Sequence, residues 1–433
     1  MVGRRRLGRP FGWLWTAYAV SAYGSGLGFG ALPLIAVLVL HAGPAEVSAL
    51  SAVGPAMGAL IAVPLAPWIE FRRKRPVMIA ADLTRFAAMA TIPLAYALGL
   101  LGFVQLLVVS AVVAAARIAS GAASGAYLKA LVRPDDLLVA NARFESTNWS
   151  SIAVGPPLGG AAIGVFGPVV TVVADAFSYL LSALALTAIR GREEPPRPAD
   201  DSPAAGKSPG AGMGQVAGKS PVRAGALLDG WRHIMGDPVL RALCLNSMLV
   251  SGLIMATEPV LAVLLLRQLD FAPWQYGLAF ALPCLGGLVG SRLAPRVVAR
   301  HGRHKVFRTV GTLRAIWLIG LAFVGPGPVG LLTVIAVELA IIVNMSLYTP
   351  VLATYRLEHT PRHLVARTLT AWSIAQQAAI AVLTALGGLL ADAAGPRTAL
   401  TVAGLLVLTT PLLLPRADRT PRQERPEPSR TGA

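Results

Sequence analysis

Twelve stretches of about 20 predominantly apolar residues, the length of helix that crosses a bilayer, dominate this sequence. Their approximate limits are 12–40, 46–69, 76–98, 103–128, 147–166, 168–189, 241–266, 274–294, 306–325, 329–350, 369–390 and 397–415. A hydrocarbon core about 30 Å thick is crossed by about 20 residues of helix, and lipid tolerates only structures that satisfy their own backbone polar groups. Such spans occupy about 250 residues, so little of the 433-residue chain is left for an extramembrane domain. Charged residues make up 14% and hydrophobic residues 55%, with a mean hydropathy of +0.63. Soluble domains carry roughly 25% charge, and a soluble fold of this size would lack the charges to cover its surface. The chain is therefore expected to be an all-α integral membrane protein. The first stretch follows Arg4, Arg5 and Arg6 but is too long for the apolar core of a signal peptide, and eleven more spans follow it.

The net charge of +17 would suggest nucleic acid in a soluble protein. Its distribution says otherwise. The N-terminus, every second loop and the C-terminal tail hold 33 of the 38 Lys and Arg residues, the opposite loops hold only Arg267 and Arg397, and Arg85, Arg117 and Arg314 lie within spans. Positive charge concentrates on the cytoplasmic side of membrane proteins. Both termini and the central loop are expected in the cytoplasm, the lipid bilayer is the partner implied, and no nucleic acid is. Cys244 and Cys284 sit in apolar stretches and imply no disulfide framework. Low Lys and high Arg, Ala and Gly usage points to a GC-rich bacterial genome, hence a plasma membrane location.

Four regions are expected: an N-terminal six-helix bundle at 1–189, a cytoplasmic linker at 190–236, a second six-helix bundle at 237–415 and a disordered cytoplasmic tail at 416–433. The linker is rich in Pro, Gly, Ala and Ser and repeats Ala-Gly-Lys-Ser-Pro at 205–209 and 217–221. Its Gly-Lys-Ser triplets are not phosphate loops, because Asp201 and Met213 stand where the first Gly of that motif is required. Leu227–Pro238 reads as a short amphipathic helix on the membrane surface with Trp231 as its interfacial anchor.

The two halves repeat. Arg72–Arg75 returns as Arg303-His304-Lys305 at an offset near 230, Leu83-Thr84-Arg85 as Thr312-Leu313-Arg314 at 229, and Gly159-Gly160 as Gly387-Gly388 at 228. Pro134 with Leu138-Val139-Ala140 returns as Pro361 with Leu364-Val365-Ala366, at 227 and 226. A shared offset predicts a 6+6 pseudo-repeat, the architecture of a large transporter class with its site between the halves.

Several motifs resemble the major facilitator superfamily. Arg117-Ile-Ala-Ser-Gly121 is similar to its fourth-span Arg-x-x-x-Gly motif. The basic loop at Arg72–Arg75 is similar to its conserved second loop, with Pro67 or its neighbours and Glu70-Phe71 in place of the usual Gly and Asp-Arg pair. Gly155-Pro156-Pro157-Leu158-Gly159-Gly160 resembles the fifth-span signature of its exporters. Ala140-Asn141 and Asp175-Ala176-Phe177-Ser178 resemble the macrolide-efflux and enterobactin-exporter group of drug–proton antiporters. The resemblance implies a secondary transporter that exports a small molecule against protons by alternating access; a mostly apolar cavity with few charges points to a hydrophobic or amphipathic cargo, no cofactor is expected, and scattered histidines, with His301 and His304 beside arginines, point to no metal site. A monomer is expected. Uptake, uncoupled diffusion and a transporter-derived sensor stand as alternatives. A membrane enzyme is not expected, because the outer loops are short and the cytoplasmic loop lacks clustered acids or histidines.

Candidate residues follow. Arg117 lies about 21 Å along its span, too deep to reach the interface easily, so it must face protein or a water-filled cavity. It either locks helices through backbone carbonyls or, as the resemblance implies, couples proton movement to conformation. Glu338, then Glu258, then Asp175 are acids within spans without an obvious local partner. A carboxyl withdrawn from water is suited to exchange a proton near neutral pH; packing is the other reading for each. Related exporters often carry an acid in the first span, where this chain has Gly24-Ser-Gly-Leu-Gly-Phe-Gly30, so any coupling must fall on those three. Tyr18, Tyr23, Asn246 and Asn344 are polar handles that could face the cavity. Asp82 and Arg85, with Arg72 and Arg73, read as a gate that opens and closes or as a static ion pair, and Arg314 is their counterpart, facing Gly311 where the first half has Asp82. Ser151, Gly155 and Gly159 share one helix face beside Pro156 and Pro157. That face is a packing interface, a hinge and seal that biases the cycle toward export, as the resemblance implies, or both.

Overall fold

A computed structural model of the chain describes residues 7–28, 30–70, 72–133, 136–189, 224–361 and 364–414. Arg4–Arg6, Phe71, Pro134, the two linker repeats and the tail at 416–433 lie outside the described residues.

Among the described residues the fold is all helical. The first half runs α1 (Arg9–Leu27), α2 (Ala31–Leu38), α3 (Pro44–Glu70), α4 (Lys74–Ala97), α5 (Phe103–Leu131), α6 (Leu137–Phe166) and α7 (Pro168–Thr187). A cross-piece, α8 (Ala224–Gly236), precedes the second half. That half runs α9 (Pro238–Val263) with a π turn to Gln268, α10 (Pro273–His301), α11 (Arg303–Ile316) with a 3-10 extension to Phe323, α12 (Gly327–Glu358), α13 (Val365–Ala394) and α14 (Pro396–Thr409). Among the described residues eleven helices are long and apolar enough to cross a membrane. The remaining crossing, α10, the eighth in chain order, carries Arg292, Arg296 and Arg300 in its last third. The layout is twelve crossings in two groups of six.

One expected span differs. The first stretch is two helices, because Gly30 takes a left-handed conformation at φ 73° that breaks the rod before Ala31. The repeat is visible in the backbone. The fifth and sixth crossings are joined by the single residue Gly167, at φ 83° and ψ 163°, and the eleventh and twelfth by Gly395, at φ 89° and ψ 154°, each followed by Pro. This backbone region is essentially open to Gly alone. The two turns are 228 residues apart, the offset of the Gly-Gly pairs.

Helix direction alternates, so one face carries Arg72–Arg75, Arg300, Lys305 and Arg308; we call it the basic face, and its opposite the far face. Buried apolar residues are continuous across the halves near the far face, where Leu34 and Ile35 of α2 share a cluster with Leu261 and Leu265 of the seventh crossing and Tyr276 of α10. Toward the basic face the core divides. Phe11, Met78, Leu128 and Leu186 pack within the first half, and Leu243, Val306, Tyr348 and Trp372 within the second. Large apolar side chains such as Leu60, Val104, Phe166, Phe323 and Val329 are left exposed on the outside, as lipid-facing surface requires.

α8 is docked on the second bundle. Ile234 is fully buried in its core, Trp231 packs against that core, and Gly230 lets the α8 backbone approach Arg367 and Thr368. Asp229 pairs with Arg367 at 2.8 Å, and His233 meets the carbonyl of His359 at 3.2 Å. The amphipathic face therefore finds protein, where a helix lying free on the membrane surface was expected.

Candidate functional site

The two halves enclose a cavity of 1070 Å³ that runs from mid-helix toward the basic face, reaching Leu14, Met78, Leu128 and Leu186. Its first-half wall is polar: Ser21 and Ser25 of α1, Arg117, Ser120 and Ser124 of α5, and Asn148 and Ser151 of α6. Its second-half wall is apolar apart from a few groups: Ile254, Phe280, Ile341 and Met345 surround Glu258 of α9 and Glu338 of α12, with Ser251 and Gln376 hydrogen-bonded to each other at 2.9 Å.

Glu338 stands eleven residues into α12 and Glu258 ten residues before the end of the seventh crossing, so both lie about 15 Å from the far face at 1.5 Å per residue. Each is close enough to feel the other's charge, and Tyr276 lies beside both. Glu338 is 9% exposed. Neither carboxyl has a hydrogen bond or ion pair among the described residues. Facing them, Arg117 projects into the cavity from α5, also without an ion pair among the described residues. Gly121 and Gly125 share its face, and a Cβ at either would meet open space. Arg117 therefore stands as a cavity-lining charge with no bond to a backbone carbonyl among the described residues, unlike the helix lock that is one of its two readings.

The Gly-Pro-Pro motif does not break its helix: α6 is continuous from Leu137 to Phe166. Gly155 and Gly159 let α6 approach the α1 backbone at Gly26 and Leu27 so closely that any side chain would overlap it. Gly160 faces the other way, where a Cβ would stand 2.8 Å from the carbonyl of Pro273 on α10, while Gly277 of α10 abuts Pro156. The second half repeats this plan. Gly387 contacts Ala256 of α9, and Gly388 abuts Ser48 and Pro44 of α3. In both Gly-Gly pairs the first residue seats its own half's first crossing and the second seats the opposite half.

Asp82 and Arg85 form an ion pair of 3.1 Å, almost wholly buried at 2% and 6% exposure, with Ser182 of α7 donating to Asp82 at 2.7 Å. Among the described residues the second half has no equivalent pair. Arg314, 2% exposed, sits against the Asn246 side-chain oxygen and over the Tyr348 ring at 3.7 Å, and Asn246 in turn donates to the carbonyl of Thr410 at 2.7 Å. Leu414 and Tyr348 fill the space beside Gly311. A guanidinium held by an amide oxygen and a π face inside one bundle is a fixed brace, so the expected gate role for Arg314 does not fit. Arg72 and Arg73 are exposed, and it is Arg75 that binds α4 to the end of α7, donating to the carbonyls of Leu186 and Thr187 at 2.9 and 2.7 Å.

Four expected cavity residues lie elsewhere, one of them Asn246, which is held between Arg314 and Thr410 inside the second bundle. Tyr23 shares a hydrogen bond of 2.7 Å with Ser150 away from the cavity, and Asn344 donates to Ala340 of its own helix at 2.8 Å. Asp175 stands behind Ser25, off the cavity wall. Two far-face residues escaped sequence reasoning. Tyr276 is buried beneath the cavity next to the Gly30 break, and Arg267 donates to the carbonyls of His41 and Ala42 at 3.2 and 2.9 Å. Arg267 thus bridges the halves. Its place as one of only two basic residues in the loops of that side was the signal.

Two six-helix bundles around a central cavity of this kind define a secondary membrane transporter. The sequence model of the Major Facilitator Superfamily matches residues 14–345 and 254–432, and the chain belongs to that superfamily. It is 26% identical over 409 residues to the multidrug efflux pump Tap of Mycobacterium tuberculosis, covering 92% of this chain and 90% of the pump. With the pump Tap of Mycolicibacterium fortuitum it shares 27% identity over 279 residues, a match spanning 64% of this chain and 61% of that protein. In structure it is similar to a bacterial homologue of the iron transporter ferroportin, at 16% identity with 94% of this chain and 98% of that one covered. The TM-score is 0.73 against that homologue's inward-facing state and 0.57 against its outward-facing state.

Proposed function

We propose that this transporter exports hydrophobic or amphipathic small molecules across a bacterial plasma membrane in exchange for protons, with the basic face and both termini in the cytoplasm. The observation that carries the reading is the mostly apolar second-half wall with Glu258 and Glu338 on it, two carboxyls without a partner among the described residues. The efflux pumps named among its relatives support the outward direction. The positive-inside bias supports a cytoplasmic basic face, and on that reading a core divided at the basic face makes this the inward-facing state. One chain supplies both cavity walls, so a monomer suffices.

In this state cargo enters from the cytoplasm and packs against Ile254, Phe280, Ile341 and Met345. The Glu338–Glu258 pair gives up a proton as cargo binds, and Arg117 on the opposite wall responds to the new negative charge. The halves then close at the basic face and open at the far face. There the carboxyls meet the periplasm, take up a proton and release cargo. Moving one charge through 100 mV supplies about 2.3 kcal/mol, which corresponds to about a fiftyfold concentration ratio.

The test uses purified protein in proteoliposomes, an imposed proton gradient and ethidium as the probe. Wild type accumulates ethidium and a protonophore abolishes the accumulation. Glu338→Gln equilibrates the dye without accumulating it. Full accumulation by Glu338→Gln would remove that residue from the mechanism, and accumulation indifferent to the protonophore would leave an uncoupled facilitator.

A further inference from the structure

The first half holds a buried charged group that the cavity carboxyls do not account for. α7 carries Asp175, Ser178, Tyr179 and Ser182 at i, i+3, i+4 and i+7, one polar stripe. Asp175 is 5% exposed and accepts hydrogen bonds from Ser25 of α1 at 3.3 Å and from Tyr179 and Ser178 of its own helix at 3.3 and 3.4 Å. Its room comes from α1. A Cβ on Gly28 would stand 3.0 Å from Asp175 Oδ2, and one on Gly24 would overlap the Ser178 hydroxyl. The first crossing has no acid of its own; two glycines one turn apart admit the carboxyl of the sixth.

The group continues toward the basic face. Ser25 and Tyr179 share a hydrogen bond of 2.8 Å, the Arg85 guanidinium lies 4.9 Å from the centre of the Tyr179 ring, and Arg85 closes onto Asp82 at 3.1 Å. The charged and titratable groups facing Asp175 are Arg85 from α4 and Tyr179 from α7. α1 brings Ser25, α2 is wholly apolar, and α6 from Ser150 to Phe166 carries no ionisable residue. The count is decisive. One guanidinium, ion-paired to Asp82 at the edge of the cavity, stands near two carboxyls that are each 5% exposed or less, and an unbalanced buried charge is disfavoured, so one proton completes the group.

We propose that Asp175, Tyr179, Arg85 and Asp82 form a second proton-binding unit, separate from the Glu258–Glu338 pair, in which Asp175 carries the proton while Arg85 rests on Asp82. When the proton leaves Asp175 Oδ for water, a second carboxylate competes for the same guanidinium. Arg85 is then drawn from its own helix toward α7. Since α7 packs on both α4 and α1, the exchange bears on helices that line the cavity. Gly24 and Gly28 are positioning residues that keep the space for the carboxyl.

The unit extends the proton-coupled reading above, and its test is independent of cargo. Infrared difference spectra of the purified full chain, taken between acid and alkaline pH, report each protonated carboxyl as a carbonyl band that disappears on titration. Asp175→Asn removes one such band, which Glu258→Gln and Glu338→Gln leave in place, and the double variant Gly28→Asp with Asp175→Gly restores it from the opposing helix. Tyr179→Phe removes one hydroxyl donor and shifts the same band to higher frequency. A titrating carbonyl spectrum unchanged in Asp175→Asn overturns the unit, whatever Glu338→Gln does to transport. Should Asp175→Asn not fold, a band that stays put in Tyr179→Phe overturns it equally.

Discussion

Gly160 of α6 and Gly388 of α13 occupy equivalent places 228 residues apart, each where its helix meets a helix of the opposite half. A Cβ on Gly160 would stand 2.8 Å from the Pro273 carbonyl, and one on Gly388 would overlap Ser48. Both glycines lie six residues from the far-face end of their helices.

Gly160→Leu and Gly388→Leu are therefore expected to wedge the far face open. Overpacking of this kind costs about 1–3 kcal/mol, which changes a two-state ratio by about 5- to 150-fold. Spin labels at Leu38 and Trp274, both exposed at the far face, report it as a longer distance in either variant with Cys244 and Cys284 replaced. A distance distribution like that of the parent means that the glycines serve assembly only.

Arg267 should act on the same equilibrium from the loop side. Its guanidinium holds the carbonyls of His41 and Ala42 across the two halves, and hydrogen bonds to charged groups contribute about 1.5–3 kcal/mol each when buried. This one is partly exposed, so Arg267→Ala is expected to shift the balance toward an open far face by about 1 kcal/mol. The same label pair measures it, and high salt should weaken the difference.

Arg117→Ala removes the cavity cation that has no ion pair among the described residues, Arg85 being held by Asp82, without filling space, since Gly121 and Gly125 leave the neighbouring volume open. We expect turnover of ethidium in proteoliposomes to fall at least about tenfold, the cost of roughly 1.4 kcal/mol in a rate-limiting step, with folded yield unchanged. Arg117→Lys should recover part of it. Turnover equal to the parent's would reduce Arg117 to a packing role.

Gly167→Ala and Gly395→Ala should destabilise the protein by similar amounts, about 1–3 kcal/mol each, because both turns use the same Gly-only backbone region. Thermal unfolding in detergent provides the comparison. Gly164→Ala is the control: it lies within α6, nothing stands within 4 Å of its added Cβ, and Ala favours helix over Gly by up to about 1 kcal/mol. Loss at Gly167 alone would show that the two turns are not equivalent.

The candidate site was legible in part. Arg117, Glu258 and Glu338 were found because a charge inside an apolar stretch is conspicuous in a linear sequence, and all three line the cavity. Tyr23 and Asn344 were misjudged because an uncharged polar side chain in a helix is satisfied as easily by its own backbone or by a neighbouring hydroxyl. The polar stripe on α7 was written at helical spacing, yet its meaning depended on α1: only the packed pair shows that Gly24 and Gly28 are vacancies shaped for Ser178 and Asp175.

Span number, the expected side of each loop and the two-fold repeat are set by local rules, hydrophobic length and charge bias, that operate one segment at a time. The break at Gly30, the docking of α8 on the bundle and the two directions in which each Gly-Gly pair faces depend on which surfaces meet. Arg85 and Arg314 mark the boundary between the two kinds of knowledge. They are repeat partners in sequence, yet one closes onto Asp82 within reach of α7 while the other is braced by Asn246 and Tyr348. Burial selects among the partners that packing provides, and only the assembled helices fix which partners those are.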